Sequence, residues 1–200
     1  RSLILIRHGR TAWNVDRRLQ GVRDVPLDDV GRAQAQLLAE RFRGADVDAL
    51  YASPLLRARD TAEIVSGALG RPVGLLHDWR EIDVGDYVGL TAAEAEARYA
   101  GWSHAMSLRT FAFPGGESPQ QVTDRTAAAF RALAEQHPGE RVAVVSHGFA
   151  LHLFCAWLFD VPPGEVAAMR PRVNTAITEI EDPCGAKRVV VANDVAHLGA

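Results

Sequence analysis

Two His-Gly pairs each follow a short apolar run, and they are the first residues of the chain whose types could do chemistry. They are His8-Gly9, which comes after LILI at 3–6, and His147-Gly148, which comes after VAVVS at 142–146. A neutral imidazole can act as a nucleophile or as a general acid or base, and a glycine lets a ligand approach the backbone. Either histidine alone could equally be a hydrogen-bonding residue at a strand end. Two of them, with Arg7 directly before the first, favour a site that binds and attacks an anion.

The segment SPLLRARDT, residues 53–61, adds a second cation to this set. It begins a predicted helix, and the helix dipole disfavours a positive charge in the first turn. Arg57 is therefore more easily explained by an anion held at this helix start than by the stability of the helix. The alternative is an ordinary solvated helix face that carries Arg57 and Arg59.

Further polar residues stand where a substrate could be bound. Asn14, Gln20 and Gly21 could offer amide and backbone groups, although polar residues near glycines are usually turn or cap residues. Glu81 precedes a glycine-rich segment and could donate a proton, although an exposed surface glutamate is the commonest alternative. The residues alone leave these alternatives open.

The elements that must position these residues alternate between strands and helices. Continuous aliphatic runs at 3–6 and 142–146 are typical of parallel strands that are buried on both faces. Weaker strand patterns occur at 48–53, 72–76, 175–181 and 187–193, and helical spacing occurs at 28–44, 53–70 and 118–136. We expect an α/β fold, a three-layer α/β/α sandwich with a mostly parallel central sheet. Ligands bind beyond the carboxyl ends of such strands, where both His-Gly pairs are predicted to lie.

One segment breaks the alternation. Residues 82–117 contain five glycines and a proline around short helical pieces, which predicts a lid insertion over the edge of the sheet. With 200 residues, 48% of them hydrophobic, the chain suits one large core better than two small ones. We expect a single domain over residues 1–200 that includes this lid.

The composition argues against several classes of protein. The formal net charge of -3 is too small to indicate a nucleic-acid or membrane surface, and no apolar run approaches the roughly 18 residues of a membrane span. Two cysteines, Cys155 and Cys184, indicate neither a disulfide framework nor a cysteine-rich metal site. The first residues lack the layout of a signal peptide. We expect a cytoplasmic protein without nucleic-acid or membrane partners, whose oligomeric state is open between a monomer and a homodimer.

Seven segments, in their order along the chain, resemble a known family. RHGRTAWN, RLQG, DVPLDDVGRAQA, SPLLRARDTA, REIDVGDYVGL, FPGGES and VVSHG are similar to the histidine phosphatase superfamily, the phosphoglycerate-mutase-like family. The resemblance implies that His8 is the phosphate-accepting nucleophile and Glu81 the proton donor. It implies a phosphate pocket of Arg7, Asn14, Arg57 and His147, and further substrate contacts are expected from Gln20, Gly21, Gly148 and Arg10.

These residue types suit the hydrolysis of a phosphate monoester, the reaction of the phosphatase branch. Neighbouring cations disfavour protonation of His8, which keeps a nitrogen lone pair for attack on phosphorus. Glu81 would protonate the leaving oxygen and then, as a carboxylate, activate the water that attacks the phosphohistidine. The reaction requires no metal and no other cofactor, and the sequence contains no phosphate loop and no nucleophile elbow. The expected partner is a small phosphorylated metabolite.

The chain departs from the family pattern at two places. Arg10 stands where many members carry Glu or Gln, and Tyr87-Val88 stands where they carry Trp-Glu. We hypothesise that Arg10, with Arg109 in the lid, favours substrates with a second anionic group such as a carboxylate. Tyr87-Val88 is expected to preserve the packing of the lid.

Two other functions fit the resemblance less well. A phosphoglycerate mutase typically has a longer stretch than the 82–114 that separates Glu81 from GGES here. A phosphate-binding module without catalysis is expected to have lost a histidine or the acid, whereas all six family positions are intact. We therefore predict a metal-independent phosphatase for small phosphomonoesters.

Overall fold

A computed structural model gives the structure of the protein and describes residues 2–101, 111–162 and 171–199. The strands are β1 (Ser2–Arg7), β2 (Ala49–Ala52), β3 (Val73–Leu75), β4 (Arg141–Ser146), β5 (Ile177–Glu181) and β6 (Arg188–Asp194). They form one sheet in the order β3-β2-β4-β1-β5-β6. Strands β3, β2, β4 and β1 run parallel to one another. Strand β5 is antiparallel to β1, and β6 is antiparallel to β5. The predicted mostly parallel sheet is confirmed.

The helices are α1 (Ala12–Val15), α2 (Asp29–Phe42), α3 (Leu56–Leu69), α4 (Ala92–Arg98), α5 (Pro119–Gln136) and α6 (Gly148–Leu158). The Asp28 carboxylate accepts the Gly31 N–H at 2.7 Å and so begins α2. Gly70 ends α3 in the left-handed conformation, with a φ of 66°. Helical periodicity predicted α2, α3 and α5 but not α6. Eight of the 11 residues of α6 are buried, so its apolar positions follow no one-sided pattern.

The three layers follow from the alternation of side chains along β1. Ile4 and Ile6 pack in one core cluster with residues of α2 and α3. Leu3 and Leu5 point to the other face and pack with residues of α5 and α6. Burying each of these side chains stabilises the fold by about 1.5–3 kcal/mol, which holds β1 rigidly between the two helical layers. This arrangement confirms the predicted three-layer α/β/α sandwich.

The register of the sheet brings the two His-Gly pairs together. Arg7 and Ser146 are partners at the ends of the parallel strands β1 and β4. The residues that follow, His8 and His147, therefore leave the sheet side by side at its carboxyl edge. The backbone N–H of His8 continues the pairing by donating to the Ser146 carbonyl at 3.0 Å.

The described parts of the predicted lid are residues 82–101 and 111–117. They contain a short 3-10 turn, Gly85–Tyr87, and α4. Tyr87 is buried and stacks on Tyr99 with ring centroids 4.2 Å apart, whereas Val88 is 43% exposed. Of the Tyr87-Val88 pair, only the tyrosine contributes to the packing of this segment. Among the described residues, no helix is both long and apolar enough to cross a bilayer.

Candidate active site

His8 is a buried imidazole at the end of β1, with 3% of its surface exposed. Its Nδ1 lies 2.7 Å from the carbonyl oxygen of Gly9. A carbonyl can only accept a hydrogen bond, so Nδ1 carries the proton and Nε2 of the neutral ring keeps its lone pair. Burial and the positive charges of Arg57 and Arg7 hold the pKa of His8 well below its ordinary value of 6.5. The side chain is therefore neutral at physiological pH and available as a nucleophile.

His147 lies next to His8, with the two ring centroids 5.2 Å apart. Its Nε2 lies 2.7 Å from the hydroxyl oxygen of Ser53, at the end of β2. Its Nδ1 is buried and makes no hydrogen bond to any residue that the structure describes. Burial and the positive charge of Arg57 keep the pKa of His147 well below 6.5. If the serine hydroxyl donates to Nε2, the proton on Nδ1 is free to bind an anionic oxygen.

Arg57, in the first turn of α3, is buried to 1% exposure, which excludes a solvated position for its side chain. Its two terminal nitrogens donate to the carbonyls of Arg23 and Gly21, each at 2.8 Å. Burial lowers its pKa to about 10, and the carboxylates of Glu81 and Asp24 partly oppose that shift. The guanidinium remains charged at neutral pH and is held in one orientation.

Arg7, which is half-buried, is the second cation of the site. Its Nη1 donates to the carbonyl of Pro171 at 3.0 Å and also to that of Arg172. The segment before β5 therefore orients the Arg7 side chain. Together, Arg7 and Arg57 place two positive charges beside His8, and both lower its pKa.

The Glu81 carboxylate lies against the first turn of α6, where backbone N–H groups have no partner within the helix. Its Oε1 accepts from the N–H of Ala150 at 2.9 Å, and its Oε2 accepts from that of Phe149 at 3.1 Å. The carboxyl group is thus fixed by the helix that follows His147. The structure places it in the same cavity as His8, not on an open surface.

Arg125 and Glu117, to which the sequence analysis assigns no role, support the segment that contains Glu81. Arg125 of α5 donates to both carboxylate oxygens of Glu117, each at 3.0 Å. The same guanidinium donates to the carbonyls of Asp78 at 2.6 Å, Arg80 at 2.8 Å and Glu81 at 3.1 Å. The only sign of this pair in the sequence was the segment FPGGES, which contains Glu117 and was noted as a family match.

Asn14 is oriented in part by Asn174, a residue to which the sequence analysis assigns no role. Its Oδ1 accepts from the backbone N–H and the hydroxyl of Thr11, each at 3.1 Å, and from Nδ2 of Asn174 at 3.2 Å. Asn174 also donates to the His8 carbonyl at 2.9 Å. With its oxygen occupied, Asn14 has its amide N–H groups left for a ligand, and they bond to no described residue.

The physical reason for a glycine differs among the three glycines of the site. A Cβ on Gly9 would lie 2.6 Å from the carbonyl oxygen of Gly31 in α2, so Gly9 is required by the packing of the protein itself. Gly21 has a φ of 51°, which favours glycine, and supplies a carbonyl to Arg57. At Gly148 the nearest atom to a Cβ would be 3.6 Å away, an ordinary contact. The protein itself therefore does not require a glycine at 148.

The structure corrects the placement of Arg10. Its Nε donates to the Asp28 carboxylate at 2.9 Å, and the residue does not line the cavity that contains His8. The aspartate that begins α2 neutralises the charge that Arg10 was expected to offer to a substrate. Arg109, the second residue of that hypothesis, lies outside the described residues.

The other predicted residues converge on one cavity of about 890 Å³. Its lining includes Arg7, His8, Asn14, Gln20, Gly21, Arg57, Glu81 and Gly148. His147 is fully buried and is not among the lining residues, although its ring lies next to that of His8. A neutral nucleophile, two guanidiniums and a carboxyl group can bind a phosphoryl group, attack it and protonate a leaving oxygen.

Comparison with known proteins agrees with this chemistry. The chain is 35% identical over 203 residues to phosphoglycerate mutase-like protein 4 of Arabidopsis thaliana, covering 98% of this chain and 86% of that protein. It is 32% identical over 181 residues to the uncharacterized phosphatase PhoE of Bacillus subtilis, covering 90% and 88% of the two chains. The solved structure of a mycobacterial glucosyl-3-phosphoglycerate phosphatase with VO3 has a TM-score of 0.87 at 30% identity, covering 96% and 99%.

The family model of the histidine phosphatase superfamily, branch 1, matches residues 3–195, which include both strand-end histidines and the helices that hold the other site residues. The resemblance seen in the seven sequence segments is therefore confirmed over almost the whole chain. This chain belongs to branch 1 of the histidine phosphatase superfamily.

Proposed function

We propose that the protein is a metal-independent phosphatase that hydrolyses small phosphomonoesters through a phosphohistidine on His8. The observation that carries this proposal is the 2.7 Å contact between Nδ1 of His8 and the Gly9 carbonyl, within a site that contains Arg7 and Arg57. The contact fixes the tautomer, and the cations keep the ring unprotonated while they attract the anion that the ring attacks.

In the first step Nε2 of His8 forms a bond to phosphorus as the bond from phosphorus to the ester oxygen breaks. Glu81 gives its proton to that oxygen, and the alcohol leaves. The two guanidiniums hold the phosphoryl oxygens, and each offers on the order of 4 kcal/mol at 4 Å with an effective dielectric near 20. The Gly9 carbonyl faces the Nδ1 proton and stabilises the positive charge that develops on the ring.

In the second step water attacks phosphorus and the bond from phosphorus to Nε2 breaks, with the electron pair returning to His8. The Glu81 carboxylate takes the proton of the water, so both residues return to their starting states and inorganic phosphate leaves. The N–H groups of Phe149 and Ala150 hold the carboxylate in place for this step.

The proposal is tested by phosphate release from a panel of small phosphomonoesters, with and without EDTA. We expect turnover that survives the chelator and is lost in His8→Ala. The matched control is His77→Ala, which removes an exposed histidine outside the cavity and should keep wild-type turnover. Turnover that requires an added metal, or that persists in His8→Ala, would contradict the mechanism.

A second experiment separates the two steps. For p-nitrophenyl phosphate the leaving group needs no proton, so Glu81→Gln should still transfer phosphate to His8 but should release it slowly. We expect a burst of nitrophenol equal to the enzyme concentration, together with an acid-labile phosphoryl group on the protein. A Glu81→Gln variant with neither burst nor label would contradict the assigned role of Glu81.

The names of some relatives favour a mutase as the second candidate, since the Arabidopsis thaliana protein is phosphoglycerate mutase-like. Phosphorus NMR of 3-phosphoglycerate with the enzyme distinguishes the two reactions. A phosphatase produces inorganic phosphate, whereas a mutase produces 2-phosphoglycerate first. Tight phosphate binding without either product would instead indicate a binding module.

A further inference from the structure

The charges that line the cavity exceed what one phosphoryl group requires. The lining contains the carboxyl group of Glu81 and five arginines, which are Arg7, Arg17, Arg18, Arg57 and Arg172. A phosphate monoester carries about two negative charges at neutral pH. Arg7 and Arg57, the two arginines that act on the pKa of His8, are enough to neutralise it.

The three remaining arginines differ in their partners. Arg18 donates to a carboxylate oxygen of Glu94 at 3.0 Å and to the Gly89 carbonyl at 2.7 Å, so its charge is already paired. Arg17 and Arg172 form no ion pair with any residue in the described parts of the chain, and both are exposed. Exposed guanidiniums that line the cavity of His8 and pair with no carboxylate of the described residues can attract an anionic group.

Both residues are attached closely to the phosphate end of the cavity. The backbone N–H of Arg17 donates to the carbonyl of Asn14 at 3.3 Å. The carbonyl of Arg172 accepts a hydrogen bond from the guanidinium of Arg7. The backbone of each arginine is therefore linked by one hydrogen bond to a residue of the proposed phosphate pocket. Both arginines also line the cavity that contains His8, so a substrate bound at His8 shares its cavity with them.

We propose that Arg17 and Arg172 form a subsite for a second anionic group of the substrate, a carboxylate or another phosphate. This inference rests on the proposed phosphatase function and names the substrate class of the same site. A guanidinium matches the planar, bidentate geometry of both anions. The cavity also has apolar lining from Leu19, Val84 and Phe149, which suits a short carbon skeleton between the two anions. The second-anion preference expected of Arg10 thus belongs to two other arginines.

The test uses matched substrates that differ only in the second group. 3-Phosphoglycerate is compared with glycerol 3-phosphate for a carboxylate, and fructose 1,6-bisphosphate with fructose 6-phosphate for a phosphate. The variants are Arg17→Asn, which tolerates the φ of 54° at this position, and Arg172→Gln, at an exposed site. For each enzyme the ratio of kcat/KM within each pair is measured at low and high salt.

We expect wild type to prefer the doubly anionic member of at least one pair, and the pair that shows it identifies the second anion. Each variant should reduce that preference by about 3- to 10-fold, the effect of one charge-assisted contact that is partly exposed, without changing turnover of the singly anionic ester. Salt should weaken the preference in wild type. Arg43→Gln, which removes an exposed charge outside the cavity, is the control and should keep the wild-type ratio.

Failure of the proposed function and failure of the subsite give different results. If wild type releases no phosphate from any ester, the proposed function fails and not this subsite. If wild type hydrolyses the esters but shows no preference in either pair, or if both variants keep the wild-type ratio, the subsite is wrong. A preference that disappears in Arg10→Gln and not in the Arg17 and Arg172 variants would return the subsite to Arg10.

Discussion

The carboxylate of Glu117 and the guanidinium of Arg125 form two parallel hydrogen bonds, each 3.0 Å long, between α5 and the segment that precedes it. Arg125 also donates to the Glu81 carbonyl, and Glu117 accepts from the N–H of Asp83 at 2.9 Å. The pair therefore fixes the backbone on both sides of the candidate proton donor. Neither residue is among those that line the cavity, so we regard both as positioning residues.

Glu117→Gln should reduce kcat for an alkyl phosphate about tenfold, because a small displacement of the proton donor is costly. The rate of phosphate transfer from p-nitrophenyl phosphate to His8, measured as the nitrophenol burst, should fall much less because this leaving group needs no proton. The control is Glu40→Gln, which opens an exposed ion pair with Arg43. Equal losses with both esters would show that Glu117 acts on general stability rather than on the position of Glu81.

Asn174→Ala should weaken the binding of inorganic phosphate about tenfold. The substitution removes one of the three hydrogen bonds that Oδ1 of Asn14 accepts and leaves the buried His8 carbonyl without this donor, at a cost of about 1–3 kcal/mol. Competitive inhibition by phosphate measures the affinity, and urea unfolding measures the stability. A variant that loses stability but keeps wild-type phosphate affinity would contradict the role assigned to Asn174 in orienting Asn14.

Gly9→Ala and Gly148→Ala form a matched pair that tests why each glycine is needed. The Cβ at 9 would lie 2.6 Å from a backbone oxygen of Gly31, whereas the nearest atom to a Cβ at 148 is 3.6 Å away. We expect Gly9→Ala to lower the Tm by about 4–10 °C, corresponding to about 1–3 kcal/mol of overpacking. Gly148→Ala should keep the wild-type Tm. A similar loss in both variants would contradict the packing argument.

The stability of the protein should decrease as the pH is lowered from 6.5 to 5. Burial and the neighbouring cations hold the pKa values of His8 and His147 below 6.5 in the folded state. In this window the unfolded chain binds protons that the folded chain does not, so acid favours unfolding. Each histidine contributes a slope of up to about 1.4 kcal/mol per pH unit. Above pH 6.5 both states are neutral at these positions, and the effect is absent.

Urea unfolding at pH 7.5, 6.0 and 5.0 measures this slope. His8→Asn should flatten it, because the asparagine does not titrate, whereas His77→Asn at an exposed position should keep it. An unchanged slope in His8→Asn would mean that His8 is protonated in the folded protein at pH 5. That result would contradict a pKa of His8 that lies well below its ordinary value.

The sequence by itself determined the class of fold and the edge of the sheet at which the candidate site lies. Apolar runs that end at His8 and at His147 predicted two buried parallel strands whose carboxyl ends carry the site. This worked because a strand buried on both faces must be apolar throughout, so the first polar residues after it mark the edge of the sheet. Local periodicity likewise predicted α2, α3 and α5, whose exposed faces are polar.

Only the tertiary structure decided how the site is held and where its charges lie. α6 has no exposed face, so its residues carry no periodic pattern, although its start holds Glu81. Arg10 and Arg17 are both arginines near the nucleophile in sequence, but one is paired with Asp28 and the other lines the cavity. Ion pairs and buried carbonyl contacts join residues far apart in the chain, and no local pattern of residue types encodes which charge finds a partner.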